Sequence, residues 1–177
     1  EENEIEYLTT FYLIECSDVY NPLLINASYT NKNLKNENLN LFLNFSEKFE
    51  HKFREISESS LLNLKLILDE NDYSVFFKLK NIFTKNSFKF SSSYNSNLGL
   101  ALMEFCSRRI MEGKVDFIKE MFETSLYIFE NGLLMNENNG YMNPNVFNQL
   151  ISTGCSLKKF DWVRQFIEDN FEKLNPR

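Results

Sequence analysis

Lys114-Val115-Asp116-Phe117-Ile118-Lys119-Glu120-Met121-Phe122 and Lys159-Phe160-Asp161-Trp162-Val163-Arg164-Gln165-Phe166-Ile167 read as two versions of one segment. Every position is identical or of similar character, and the offset from Lys114 to Lys159 is 45 residues. A fainter copy, Tyr73-Ser74-Val75-Phe76, lies 42 residues earlier. In each copy a polar turn leads to an apolar residue, and an apolar pair then opens the next helix. A period of about 40 to 45 residues with two helices per unit is the signature of a stacked helical array. A single hairpin cannot bury its apolar stripe, so neighbours must stack on it. The competing reading is two helix starts on an ordinary bundle that have converged.

Helical spacing extends through the chain. Phe42, Phe45, Phe49, Phe53 and Ile56 recur every three or four positions, which predicts one stripe on a long helix whose wet face carries Glu47, Lys48, Glu50, His51, Lys52 and Arg54. Val75, Phe76, Leu79, Ile82 and Phe83 predict a second stripe, and Leu98, Leu102, Phe105, Cys106, Arg109 and Ile110 a third. Ile118, Met121, Phe122, Ser125 and Phe129 form another. Asn143-Pro144 fits a cap followed by a proline at the first helical position. Val146, Phe147, Leu150, Ile151 and Gly154 follow as a narrow face, with Gly154 admitting a close neighbour. Phe160, Val163, Phe166, Ile167 and Phe171 predict the partner face. Breaks are expected at Asn86 to Ser96 and at Asn131 to Gly140. Pro22 could open a helix, Asn31 to Asn38 reads as a loop, and Phe88 to Ser91 could be a short strand.

The expected fold is therefore all-α: antiparallel helix hairpins stacked as an α-α superhelix, a piece of a longer array, since the chain opens on Glu1. Residues 1–71 are the less regular part, and 72–113, 114–157 and 158–177 are repeat-like units. With 18 phenylalanines among 177 residues, the chain has the burial needed to offset chain entropy, which argues against disorder.

Pro144-Asn145-Val146-Phe147-Asn148-Gln149-Leu150-Ile151-Ser152 through Lys159-Phe160-Asp161-Trp162-Val163 resembles tetratricopeptide-like and pentatricopeptide-like helix pairs. The stretch is also similar to the C-terminal part of uncharacterised helical-repeat proteins of Bacteroidota. It departs from the named families at Val163, where a small alanine is usual, and in a period longer than their roughly 34 residues. The resemblance implies helix pairs stacked into a superhelix that binds peptides or, in pentatricopeptide proteins, single-stranded RNA.

Chemistry is sparse. His51 is the only histidine and falls on a polar helix side, so Ser-His-Asp or Cys-His catalysis has little to build on. Zinc and di-iron centres need more Cys and His ligands than the chain has, and the five glycines are isolated rather than grouped in a phosphate loop. Carboxylate pairs such as Glu120 with Glu123 and Glu47 with Glu50 read as solvated helix faces. The expectation is no catalytic residues, no cofactor and no metal. Cys16, Cys106 and Cys155 are odd in number and far apart, and Cys106 and Cys155, which fall in apolar stripes, read as buried free thiols in a reducing, cytoplasmic setting. Asn26-Ala27-Ser28 and Asn44-Phe45-Ser46 match a glycosylation acceptor pattern that an Asn-rich chain produces by chance. No apolar run reaches the roughly 18 residues of a membrane span.

A net charge of −6 disfavours nucleic acid as a partner and leaves a protein or peptide. If the units stack, Lys114 and Lys159 align on one edge, as do Lys119 and Arg164, making a candidate basic ridge. The ordinary alternative is surface charge balanced by Glu112, Glu120 and Glu168. Trp162, matched by Phe117 in the earlier copy, is expected to pack on the next unit rather than stack on a ligand. The function these readings support is a non-enzymatic scaffold. An RNA-binding repeat and an accessory domain of an enzyme are the alternatives.

Overall fold

A computed structural model describes residues 2–29, 37–48, 55–68, 72–133 and 141–174. The described residues form eight α-helices and no strand: α1 (Glu2–Tyr29), α2 (Glu37–Lys48), α3 (Glu55–Leu68), α4 (Tyr73–Asn86), α5 (Ser92–Met111), α6 (Phe117–Glu130), α7 (Pro144–Ser156) and α8 (Phe160–Asn170). Single 3-10 turns follow α4 at Ser87–Lys89 and α8 at Phe171–Lys173. The chain divides into two compact units, Glu1–Phe90 and Ser91–Arg177, so the division falls inside the 72–113 segment.

In the first unit α3 is the central helix, with α1 and α4 packed on it. Its six consecutive residues Ser59 to Leu64 are all buried, as a helix covered on more than one side must be. Leu13 of α1, Leu39 and Phe42 of α2 and Leu64 of α3 share one apolar cluster. Glu58 of α3 pairs with Lys78 of α4 at 2.9 Å. The start of α4 is set by Asp72, whose carboxylate accepts from the amides of Ser74 and Val75 and satisfies donors that a helix N-terminus leaves open. Beyond it Val75, Phe76, Leu79, Ile82 and Phe83 are buried, as their spacing predicts.

Several expectations in this half are corrected. Pro22 lies inside α1 rather than at a helix start. The stripe from Phe42 to Ile56 spans two helices: α2 reaches Lys48 and α3 starts at Glu55, while Phe49, His51 and Phe53 lie outside the described residues. Of the predicted loop at Asn31 to Asn38, the last two positions are helical and the rest lie outside the described residues. The break at Asn86 narrows to the 3-10 turn and Phe90-Ser91, because Ser91 accepts from the Tyr94 amide and starts α5 at once. Phe88 to Ser91 is therefore no strand.

In the second unit α5 packs on α6, α6 on α7 and α7 on α8. The Asn143-Pro144 start of α7 is as the sequence predicts: the Asn143 side chain accepts from the Asn145 amide at 2.9 Å, and proline occupies the first turn, where no donor is needed. Rings knit the unit together: Phe105 with Phe117 (5.7 Å between centroids), Phe122 with Trp162 (4.9 Å), and Phe166 with Phe129 (5.1 Å) and Phe147 (5.2 Å). Each fully buried ring of this kind contributes about 1.5–3 kcal/mol through apolar burial. These pairs also fix a direction. Phe122 near the start of α6 meets Trp162 near the start of α8, while Phe129 near its end meets Phe166 and the Lys173 ammonium, 5.7 Å from the Phe129 ring. Helices α6 and α8 thus run side by side in the same direction. Trp162 packs on Phe122 of the preceding hairpin.

Two stripes are less apolar or less buried than their spacing suggests. Arg109, on the inner stripe of α5, is only 1% exposed. Its guanidinium pairs with Glu112 at 2.8 Å and lies 5.2 Å from the Phe105 ring centre, which offsets the cost of burying a cation. On α8, Val163 and Phe166 are buried but Phe160 is exposed, as is Phe171 in the 3-10 turn that follows. Cys106 is buried as expected, whereas Cys155 is exposed because it lies off the Leu150–Gly154 face of α7.

Candidate binding surface on the second unit

The 45-residue offset recurs in the turns. After α5, Gly113 adopts φ +83°, its amide donates to the Ile110 carbonyl (2.9 Å), and the Lys114 amide donates to the Arg109 carbonyl (2.9 Å). After α7, Lys158 adopts φ +57°, its amide donates to Cys155 (3.0 Å), and the Lys159 amide donates to Gly154 (2.9 Å). Both are left-handed helix ends that recapture the last open carbonyls. Gly113 fills the left-handed position without strain, while Lys158 carries a Cβ there.

This geometry delivers the same pair of side chains to the surface twice. Lys114 and Lys159 are exposed, and each is followed by an exposed apolar residue, Val115 (68%) and Phe160 (60%). One helical turn further on stand Lys119 and Arg164, also exposed. The four cations of the predicted ridge therefore all reach solvent. They are held differently: Lys119 pairs with Glu123 at 3.7 Å, and Lys159 rests with its ammonium 5.3 Å from the Phe122 ring. An exposed pair such as Lys119–Glu123 is worth well under about 1 kcal/mol and leaves the lysine easily diverted to another anion. Glu112, one of the acids expected to balance the ridge, is taken by Arg109.

The apolar members are what the sequence reading missed. Phe160 and Phe171 (65% exposed) share the helical period of Val163 and Phe166, so periodicity alone counts them as core. The available signal was the match of Phe160 to Val115 beside a left-handed turn, a position that faces outward. In the first unit the exposed apolar residues are concentrated on α1, among them Leu8, Phe11 and Val19. Tyr12 there stacks edge-on against Phe42 and Phe45 of α2, and its hydrogen bond to Cys16 holds the phenol above its ordinary pKa.

Among the described residues no group of three or more Cys, His, Asp or Glu is placed to hold a metal ion, and no helix is long and apolar enough to cross a membrane. Comparison with protein-family models, with curated proteins and with solved structures returns no match.

Proposed function

We propose that this chain is a non-enzymatic helical-repeat scaffold, of tetratricopeptide-like superhelical architecture and cytoplasmic setting, that binds a protein or peptide. The observation that carries the reading is the repeated Lys-apolar pair, Lys114-Val115 and Lys159-Phe160, presented by two turns of like geometry. An exposed phenylalanine beside lysines suits an acidic, partly apolar segment: the ring supplies burial on contact, and the cations supply steering and register. The parallel course of α6 and α8 supports a stack of equivalent hairpins.

Trp162 is the only tryptophan and lies two residues beyond Phe160, so its fluorescence reports on this edge. Titration with a synthetic amphipathic peptide rich in Glu and Leu should shift that emission, with binding that weakens as salt rises and is lost in Lys159→Glu/Phe160→Ser. Absence of a shift and of binding at low salt would sink the reading. Preferential binding of a single-stranded oligouridine would favour the nucleic-acid alternative.

A further inference from the structure

Among the described residues, α8 and α1 each leave an apolar stripe exposed, and the stripes carry complementary charge. On α8 and the turn that closes it, Phe160, Arg164, Ile167 and Phe171 follow at i, i+4, i+7 and i+11, one side of the helix, and Phe160, Arg164 and Phe171 are exposed. On α1, Glu4, Leu8, Phe11, Glu15 and Val19 hold a matching row, all exposed. Residues 1–29 contain six carboxylates and no lysine or arginine, and in the rest of the chain 19 acidic residues balance 19 basic ones. The whole net charge of −6 thus belongs to α1 and the residue before it.

The order of charge along the two helices matches as well. All six acids of this segment precede Val19, and the remainder of α1 is neutral. Around the start of α8 stand Lys158, Lys159 and Arg164 with Asp161 as the one nearby acid, whereas Glu168, Asp169 and Glu172 lie at its far end. Laid parallel, the acidic half of α1 meets the cationic start of α8, and its neutral half meets the acidic end. An antiparallel placement removes that match.

From this complementarity we infer that the occupant of the α8 edge is α1 of a second copy of the same chain. The inference rests on the reading of that edge as a binding surface and names its partner. The contact joins two different surfaces, so it is heterologous, and copies add head to tail unless the rotation closes a ring. In the parallel register that sets Glu15 level with Arg164, Phe11 would cover Phe160, Val19 would cover Ile167 and Phe171, and Glu15 would face Arg164.

Sedimentation of the whole chain tests this, from low to high micromolar concentration at about 0.05 M and about 0.5 M salt. Mass should rise with concentration at low salt and fall at high salt. Arg164→Glu and Glu15→Lys should each weaken self-association about tenfold, and an equimolar mixture of the two should restore it, with circular dichroism confirming that each variant is folded. A monomer at every concentration overturns self-docking. If the wild type still binds the acidic peptide in that case, the α8 edge stands as a binding surface and only its occupant is wrong; loss of both sinks both readings. Association that survives Arg164→Glu but is lost in Phe11→Ser means that α1 pairs with something other than α8, and overturns the assignment.

Discussion

Gly154 of α7 lies against Val163 of α8 so closely that a Cβ at Gly154 would stand 2.6 Å from Val163 Cγ2. The distance between the two helices at this crossing is therefore set by a missing side chain. Gly154→Ala should destabilise the second unit by about 1–2 kcal/mol, because overlap in a packed contact outweighs the helix propensity gained from alanine. In a Val163→Ala background the same change should cost much less. Urea unfolding of the four proteins of this cycle checks it, and equal cost in both backgrounds would place the strain elsewhere.

Phe166 is buried and touches Phe129 of α6, Phe147 of α7 and Trp162 of its own helix, hence two other helices of the unit. Phe166→Asp should remove more than about 3 kcal/mol and unfold the second unit, since it deletes a packed ring and buries an unpaired carboxylate. Trp162 emission, with the indole stacked on Phe166 at 5.0 Å, should shift to that of solvated tryptophan. Unchanged stability would mean that this face is open to solvent.

The two left-handed turns differ in their residue, not in their shape. Lys158→Gly should stabilise the chain by about 0.5–1 kcal/mol by relieving a Cβ at positive φ. Gly113→Ala should cost about 1 kcal/mol, from backbone strain alone because no atom lies within 4 Å of the added methyl. Thermal melts of both variants should move in opposite directions.

Asp72 accepts from the backbone amides of Ser74 and Val75 and from the Ser74 hydroxyl, and the serine hydroxyl is the leading reason its carboxyl sits below the usual pKa. A carboxyl depressed in the folded state adds stability that is complete above its unfolded pKa and disappears as pH falls through its folded one. Acid titration of unfolding should show this loss on the acidic side of the ordinary carboxylate range. Asp72→Asn keeps a capping oxygen that does not titrate, so its stability should change less over the same window.

Cys155 should react at once with a thiol reagent, half-buried Cys16 more slowly, and Cys106 only on unfolding. Mass spectrometry of the modified positions against time checks the order. Early modification of Cys106 would contradict its place between the helices of the second unit.

How much of this was legible in the sequence depended on what a residue's surroundings add to its spacing. The helices from Tyr73 onward were readable because stripes such as Val75 to Phe83 and the Asn143-Pro144 start are local signals, set by side chains within a turn or two. The close approach at Gly154 was legible for the same reason. Phe160 and Phe171 were misread, since period 3.6 says that residues share a side but not whether a neighbour covers it. Arg109 entered its stripe correctly, yet its burial depends on Glu112 and the Phe105 ring. Pro22 was misread because the rule that proline opens or breaks helices ignores what the rest of α1 gains from packing on α3. The exposure of the four cations at matching sequence positions was legible, and that of the apolar residues beside them was not.

In the second unit each helix packs on the one that follows it in the chain, α5 on α6, α6 on α7 and α7 on α8. Such contacts close short loops, so little entropy is lost before burial begins to compensate. The unit is thus suited to growing one hairpin at a time, α5–α6 offering Phe122 and Phe129 as a finished surface on which Trp162 and Phe166 later settle. Amide exchange should then be slowest in α6 and α7, which each have a helix on both sides, and faster toward the outer helices α5 and α8 of the unit.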